Sequence, residues 1–294
     1  MKPAVGVIGL GIMGSAMAAN LMRAGYRVIG YDVLDTRRRS LARAGGKAAR
    51  SCHTVGETSG IAICSLPSSE ALLKTVDRLG ELRAPRIVIE TSTLPIDSKE
   101  VARERLASKG AVLLDCPLSG TGSQARTRDL VVYASGDRRA YRLVTPVLDA
   151  IARAHYHVGP FGNGSKTKFV ANLLVAIHNV AAAEALVLAR NAGLDPETTL
   201  KVIADGAGSS RMLQVRGPLM VRGDYANALM KLGVWSKDMD IIGAFARENG
   251  ARTPLFDATK PLYAAATRSD RSEDTAAVHR VLAESTKYKV QSRK

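Results

Sequence analysis

The chain has 294 residues, 46% of them hydrophobic and 23% charged, with a formal charge of +15 at pH 7. That length accommodates two domains with separate cores, and aromatics at only 4% speak against a stacking platform for single-stranded nucleic acid. The basic residues are scattered and match no nucleic-acid-binding motif, so the charge is read as a basic surface that attracts small anions.

The first apolar run, Ala4 to Leu10, is too short and too glycine-broken for a signal peptide. No uninterrupted run of 18 apolar residues follows, so no membrane span is expected and the cytoplasm is the default compartment. Strand-like runs then cover Ala4–Ile8, Arg27–Tyr31, Ile61–Ser65, Ile87–Glu90, Val112–Cys116, Leu130–Ala134 and His155–Val158. Helix-length segments separate them: Met13–Ala24, Thr36–Ala44, Glu70–Leu79, Asp97–Ser108 and Arg139–Ile151. Apolar strands alternating with helices predict a mainly parallel sheet covered on both faces. After Gly159–Gly164 the strand signal stops, which sets the expected domains at residues 1–161 and 162–294, the second all-helical. Ser165 to Ala192 lacks Gly and Pro and reads as one helix about 40 Å long, apolar on nearly every side. Such a helix is expected to be buried, as the spine of the second domain or of a subunit interface. Further helices are expected over Pro196–Asp205, Val234–Asn249, Leu255–Thr267 and Glu273–Glu284, with Lys287–Lys294 a frayed tail. Cys64 and Cys116 sit in strand-like runs and read as inert buried thiols, and the histidines show no metal-ligand spacing.

Gly9-Leu10-Gly11-Ile12-Met13-Gly14 follows the first strand and opens the first helix. Gly9 permits a tight turn, Gly11 lets backbone approach a pyrophosphate, and Gly14 allows close helix–strand packing. Asp32 ends the second strand, 18 residues after Gly14, where a carboxylate accepts from adenosine ribose hydroxyls. A carboxylate there repels a 2′-phosphate and favours NAD over NADP, although Arg37, Arg38 and Arg39 follow closely.

The stretch from Gly9 to Leu21 resembles the opening of the 3-hydroxyisobutyrate dehydrogenase family, the β-hydroxyacid dehydrogenases related to 6-phosphogluconate dehydrogenase. Asp115–Gly122, Gly162–Asn172 and Lys237-Asp238 match later family motifs in order. The resemblance implies a Rossmann domain, a helical second domain and an active site in the cleft between them. It implies Lys168 as the catalytic lysine, Asn172 as a substrate orienter, and Ser119 with Gly120 as the carboxylate site. Thr93 would lie by the nicotinamide, Leu66 and Pro67 by its ribose, and Lys237 would close over the cofactor. The loop departs from the family pattern at Thr121 and Gln124, which would add polar side chains near the substrate carboxylate.

Hydride transfer from an alcohol carbon needs a cofactor platform, a substrate anchor and a base. Lys168 and Asn172, four apart on a helix, share a face, whereas Lys166 points elsewhere. The base must be uncharged, which the nicotinamide cation, Lys237 and burial would favour. Ser119 with the N–H groups of Gly120 and Thr121 could form an anion nest, or the loop could simply cap the next segment. His178 reads as a core histidine. The expected function is an NAD-dependent dehydrogenase of a small 3-hydroxy acid, working as a homodimer or homotetramer. The alternatives are an NAD(P)H-dependent reductase of a small semialdehyde acid and, distantly, a non-catalytic NAD- or nucleic-acid-binding protein.

Overall fold

The computed structural model describes residues 2–79, 83 and 86–291. The chain forms two compact units, one up to Lys168 and one from Phe169 onward.

In the first unit, β1 (Ala4–Ile8), β2 (Arg27–Tyr31), β3 (Lys47–Ala48), β4 (Ile61–Cys64), β5 (Ile87–Glu90) and β6 (Val112–Asp115) form a sheet ordered β3-β2-β1-β4-β5-β6. Every pairing is parallel, which is the doubly wound arrangement. Helices α1 (Ile12–Arg23), α2 (Asp35–Arg43), α3 (Cys52–Thr58), α4 (Ser69–Arg78) and α5 (Ile96–Ala107) connect the strands. Successive strand residues serve opposite faces. Ile87 and Ile89 join Met17 and Leu21 in one core, while Val88 joins Leu72, Val76 and Leu106 in the other. That two-sided burial is why the strands are apolar throughout.

Two of the expected strands do not belong to this sheet. β8 (Val131–Ala134) and β9 (Ala154–His157), with the short β7 (Leu118–Ser119), form a second, three-stranded sheet in which β7 and β8 are antiparallel. The isolated bridge between Asp115 and Ser135 ties it to the end of β6. Helices α6 (Gly122–Arg126) and α7 (Arg138–Ile151) accompany it.

The second unit is helical. α8 (Asn163–Asn191, which starts in the first unit) leads into α9 (Pro196–Asp205), α10 (Arg211–Arg222), α11 (Leu232–Glu248), α12 (Pro254–Ser269), a 3-10 turn (Thr275–Ala277) and α13 (Val278–Gln291). α10, which holds Gly217 and Pro218 in its interior, has no counterpart among the helices named from the sequence. Its boundaries are chemical: the Ser210 hydroxyl accepts from the Leu213 N–H at 3.1 Å, and Gly223 stops it in the left-handed region. The last helix begins later than expected, and its backbone continues through 287–291 where a frayed tail was expected; 292–294 lie outside the described residues.

α8 corrects two expectations. It is not buried all round, since Val170, Leu174 and Leu188 are 58%, 47% and 71% exposed. Its mean hydropathy of 1.7 over an 18-residue window also makes it long and apolar enough to cross a membrane, which a search for unbroken apolar runs misses because polar residues punctuate it. One of those polar residues, Asn179, is satisfied within the same unit: it donates to the Tyr263 hydroxyl and the Thr275 carbonyl, both at 2.9 Å. Phe169 packs edge-on against Phe245. His178 is only partly buried and is not a core residue. Nearby, the fully buried Asp274 gathers Arg216 and the N–H groups of Leu229, Met230 and Ala276.

Candidate active site

The glycine loop has two positions set by packing and one left open. A Cβ at Gly9, whose φ is +89°, would lie 2.1 Å from the Ser65 carbonyl oxygen, and one at Gly14 would lie 1.8 Å from that of Gly9. At Gly11 the nearest atom, Arg37 Nη1, is 3.9 Å away. The protein's own packing therefore leaves Gly11 free of crowding, as a backbone approached by a ligand requires. Gly11 also caps α1 without a side-chain hydrogen bond, which suits this helix N-terminus to a phosphate. Ile12 is 55% exposed, Met13 half-buried and Leu10 buried. These residues fit a dinucleotide pyrophosphate.

Asp32 does more than the spacing implies. One carboxylate oxygen accepts from the Leu10 N–H at 2.8 Å and the other from the Leu34 N–H at 2.9 Å, so the side chain staples the glycine loop to the turn after β2. Arg37 pairs with it at 3.2 Å. Arg38 donates to the Asp32 carbonyl at 2.6 Å and pairs with Asp35, as does Arg39. Across the sheet, the Leu66 N–H donates to Ser92 Oγ at 2.8 Å, linking the Leu66-Pro67 turn to the Thr91–Thr93 loop.

At the loop after β6, Ser119 ends β7 and Gly120 has a φ of +135°. Thr121 and Gln124 form a reciprocal capping box on α6, with the Thr121 N–H donating to Gln124 Oε1 at 2.9 Å. Gln124 also donates to Asp129 at 3.0 Å. The Thr121 N–H is thus occupied, and the expected three-part anion nest reduces to Ser119 and Gly120. The two departures from the family pattern satisfy each other locally.

Lys168 and Asn172 lie one turn apart on α8 and are 8% and 3% exposed, while Lys166 is exposed. Asn172 donates to Asp238 Oδ2 at 3.3 Å, and Lys237 lies 3.5 Å from Asp238 Oδ1. Asp238, whose part the sequence left open, is therefore the brace for both residues. Its position beside Lys237 was the only signal for it.

A dinucleotide-binding Rossmann unit, a helical unit, and a buried lysine–asparagine pair on the helix α8 that runs from one into the other define a class of nicotinamide-dependent dehydrogenases. Residues 4–159 match the NAD-binding domain of 6-phosphogluconate dehydrogenase, and residues 162–282 match the NAD-binding domain of NADP-dependent 3-hydroxyisobutyrate dehydrogenase. L-threonate dehydrogenase of Cupriavidus necator is 33% identical over 287 residues, 96% of each chain. Glyoxylate/succinic semialdehyde reductase 2 of Arabidopsis thaliana is 28% identical over 88% of this chain and 73% of its own. The crystal structure of 3-hydroxyisobutyrate dehydrogenase from Salmonella typhimurium superposes with a TM-score of 0.86 at 27% identity, covering 95% of this chain and all of that one. The chain belongs to the β-hydroxyacid dehydrogenase family and is an NAD(P)-dependent oxidoreductase acting on CH–OH donors.

Proposed function

We propose that the chain oxidises a small 3-hydroxy acid of the 3-hydroxyisobutyrate kind, with NAD as oxidant and Lys168 as general acid and base. The observation that carries this reading is the buried pair on α8, in which Asn172 is braced by Asp238 one turn beyond Lys168. Nicotinamide, when bound, supplies the hydride acceptor. Lys168 takes the hydroxyl proton as the C–H bond breaks, and in the reverse direction it protonates the carbonyl oxygen. Asn172 orients the reacting hydroxyl, while Ser119 and Gly120 receive the carboxylate. The cofactor is assigned to Gly9–Gly14, Asp32, Leu66, Pro67, Thr93 and Lys237.

A second reading is reduction of a small semialdehyde acid by the same residues, and the likeness to the Arabidopsis reductase supports it. The likeness to an L-threonate dehydrogenase adds polyhydroxylated acids to the substrates to be tried. The test is NADH absorbance with a panel of 3-hydroxy acids and L-threonate, and the reverse assay with semialdehydes. Lys168→Ala is expected to lower kcat by about 10³-fold while the NADH dissociation constant changes by less than about twofold. Near-native turnover in Lys168→Ala would overturn the assignment.

A further inference from the structure

α5 turns an unexpected residue inward. Lys99 is 0% exposed, although Val101 two residues on is 37% exposed. Its Nζ lies 2.6 Å from Glu90 Oε2 and 2.8 Å from Asp115 Oδ1, and donates to the Ser92 carbonyl at 2.7 Å. Burial alone would lower the affinity of this amine for its proton, but the two carboxylates overcome that and hold it well above its ordinary range. Lys99 is therefore a fixed cation between two buried anions.

Each anion leads to a loop of the proposed site. Glu90 Oε1 accepts from the Ser92 N–H at 2.9 Å, and Ser92 Oγ in turn accepts from the Leu66 N–H. That branch holds the two cofactor loops. Asp115 Oδ2 accepts from the Ser165 N–H at 2.7 Å, and Oδ1 accepts from Ser165 Oγ at 2.8 Å. Ser135 Oγ donates to the same carboxylate and accepts from the Gly164 N–H at 2.9 Å. This branch caps the first turn of α8, three residues before Lys168, which is roughly 4.5 Å along the helix axis. Asp115 also sits at the N-terminus of α8, the positive end of the helix dipole.

We infer that Lys99 is a positioning residue for catalysis: through Asp115 it fixes the height and rotation of the helix turn that carries Lys168, and through Glu90 it fixes the cofactor loops. A buried ion cluster is a poor source of stability, because apolar side chains of equal volume hold a core at least as well. What ions and directional hydrogen bonds supply is a defined geometry, and misplacement of a reacting group by about 1 Å can cost on the order of 100-fold in rate.

The inference rests on the proposed role of Lys168, so Lys168→Ala is assayed in parallel. Ser165→Ala removes one contact of the α8 branch and leaves the ions in place. It is expected to lower kcat about tenfold while the NADH dissociation constant stays within about twofold. Lys99→Met releases both branches and is expected to lower kcat by about 10- to 100-fold and to weaken NADH binding as well. Rates are expressed per NADH-binding site, so loss of folded protein does not count as loss of catalysis; should Lys99→Met not fold, Ser165→Ala decides alone. A merely structural cluster would lower the melting temperature and leave kcat per site unchanged. That result, alongside an inactive Lys168→Ala, overturns the inference but not the proposed function. An active Lys168→Ala overturns the proposed function itself.

Discussion

Under the proposed cofactor assignment, Asp32 and Arg37 set the balance on which the choice of dinucleotide turns. The carboxylate presents negative charge at the end of β2, while Arg37, its partner at 3.2 Å, offsets part of that charge from a half-exposed position. A 2′-phosphate arriving there meets both, and the carboxylate, pinned by two backbone N–H groups, cannot swing away. The expected outcome is a higher kcat/KM with NAD than with NADP, and a larger ratio in Arg37→Ala because the carboxylate is then unscreened. A higher kcat/KM with NADP in the native enzyme would contradict this. The glycine loop was legible in the sequence because only glycine meets those contacts, as the 1.8 and 2.1 Å approaches at Gly14 and Gly9 make plain. Lys99 was not. Among Asp97, Glu100, Arg103 and Glu104 it looks like one more solvent-facing charge, and its burial is decided by carboxylates at the ends of β5 and β6, the strands on either side of α5, whose approach to it only the folded sheet shows.

Helices and strands were readable where a buried face left an apolar pattern, whereas the 12-residue α10, with Gly217-Pro218 inside it, was not. β1, β2 and β5 fall where the apolar runs placed them because both faces of the sheet are covered. β3, β7, α3 and α6 have two to seven residues, too few for a period to emerge, and rest on local bonds such as the Ser51 cap of α3. α13 carries a test of its own. His279 is 8% exposed, with Nδ1 3.0 Å from the Tyr225 hydroxyl, and burial together with Arg190 holds its affinity for a proton below the usual value. The unfolded chain therefore binds a proton at this position before the folded one does. Its contribution to stability is complete above the ordinary histidine value of about 6.5 and is lost as pH falls below it. The denaturation midpoint in urea should drop as pH is lowered from about 7.5 to about 5.5, roughly one unit either side of that value. His279→Gln should reduce the fall; an unchanged pH slope would show that the ring is not responsible.

For the molecule as a whole, the face of α8 carrying Val170, Leu174, Ala181 and Leu188 leaves a stripe of apolar surface uncovered in the single chain. The 4- and 7-residue spacings keep these side chains in register along the helix, the pattern one helix offers another. A dimer or tetramer by light scattering is the expected state, with Leu174→Asp shifting it toward monomer; a native monomer would refute the assignment. Burial of sulfur has a different reach. Cys52, Cys64 and Cys116 are 7%, 0% and 0% exposed, and desolvation pushes each thiol up, the latter two strongly. Thiolate is the species that attacks disulfide reagents and peroxides. The folded enzyme should consume no Ellman's reagent until a denaturant is added, and its turnover should persist through oxidant exposure that silences enzymes dependent on an accessible sulfhydryl.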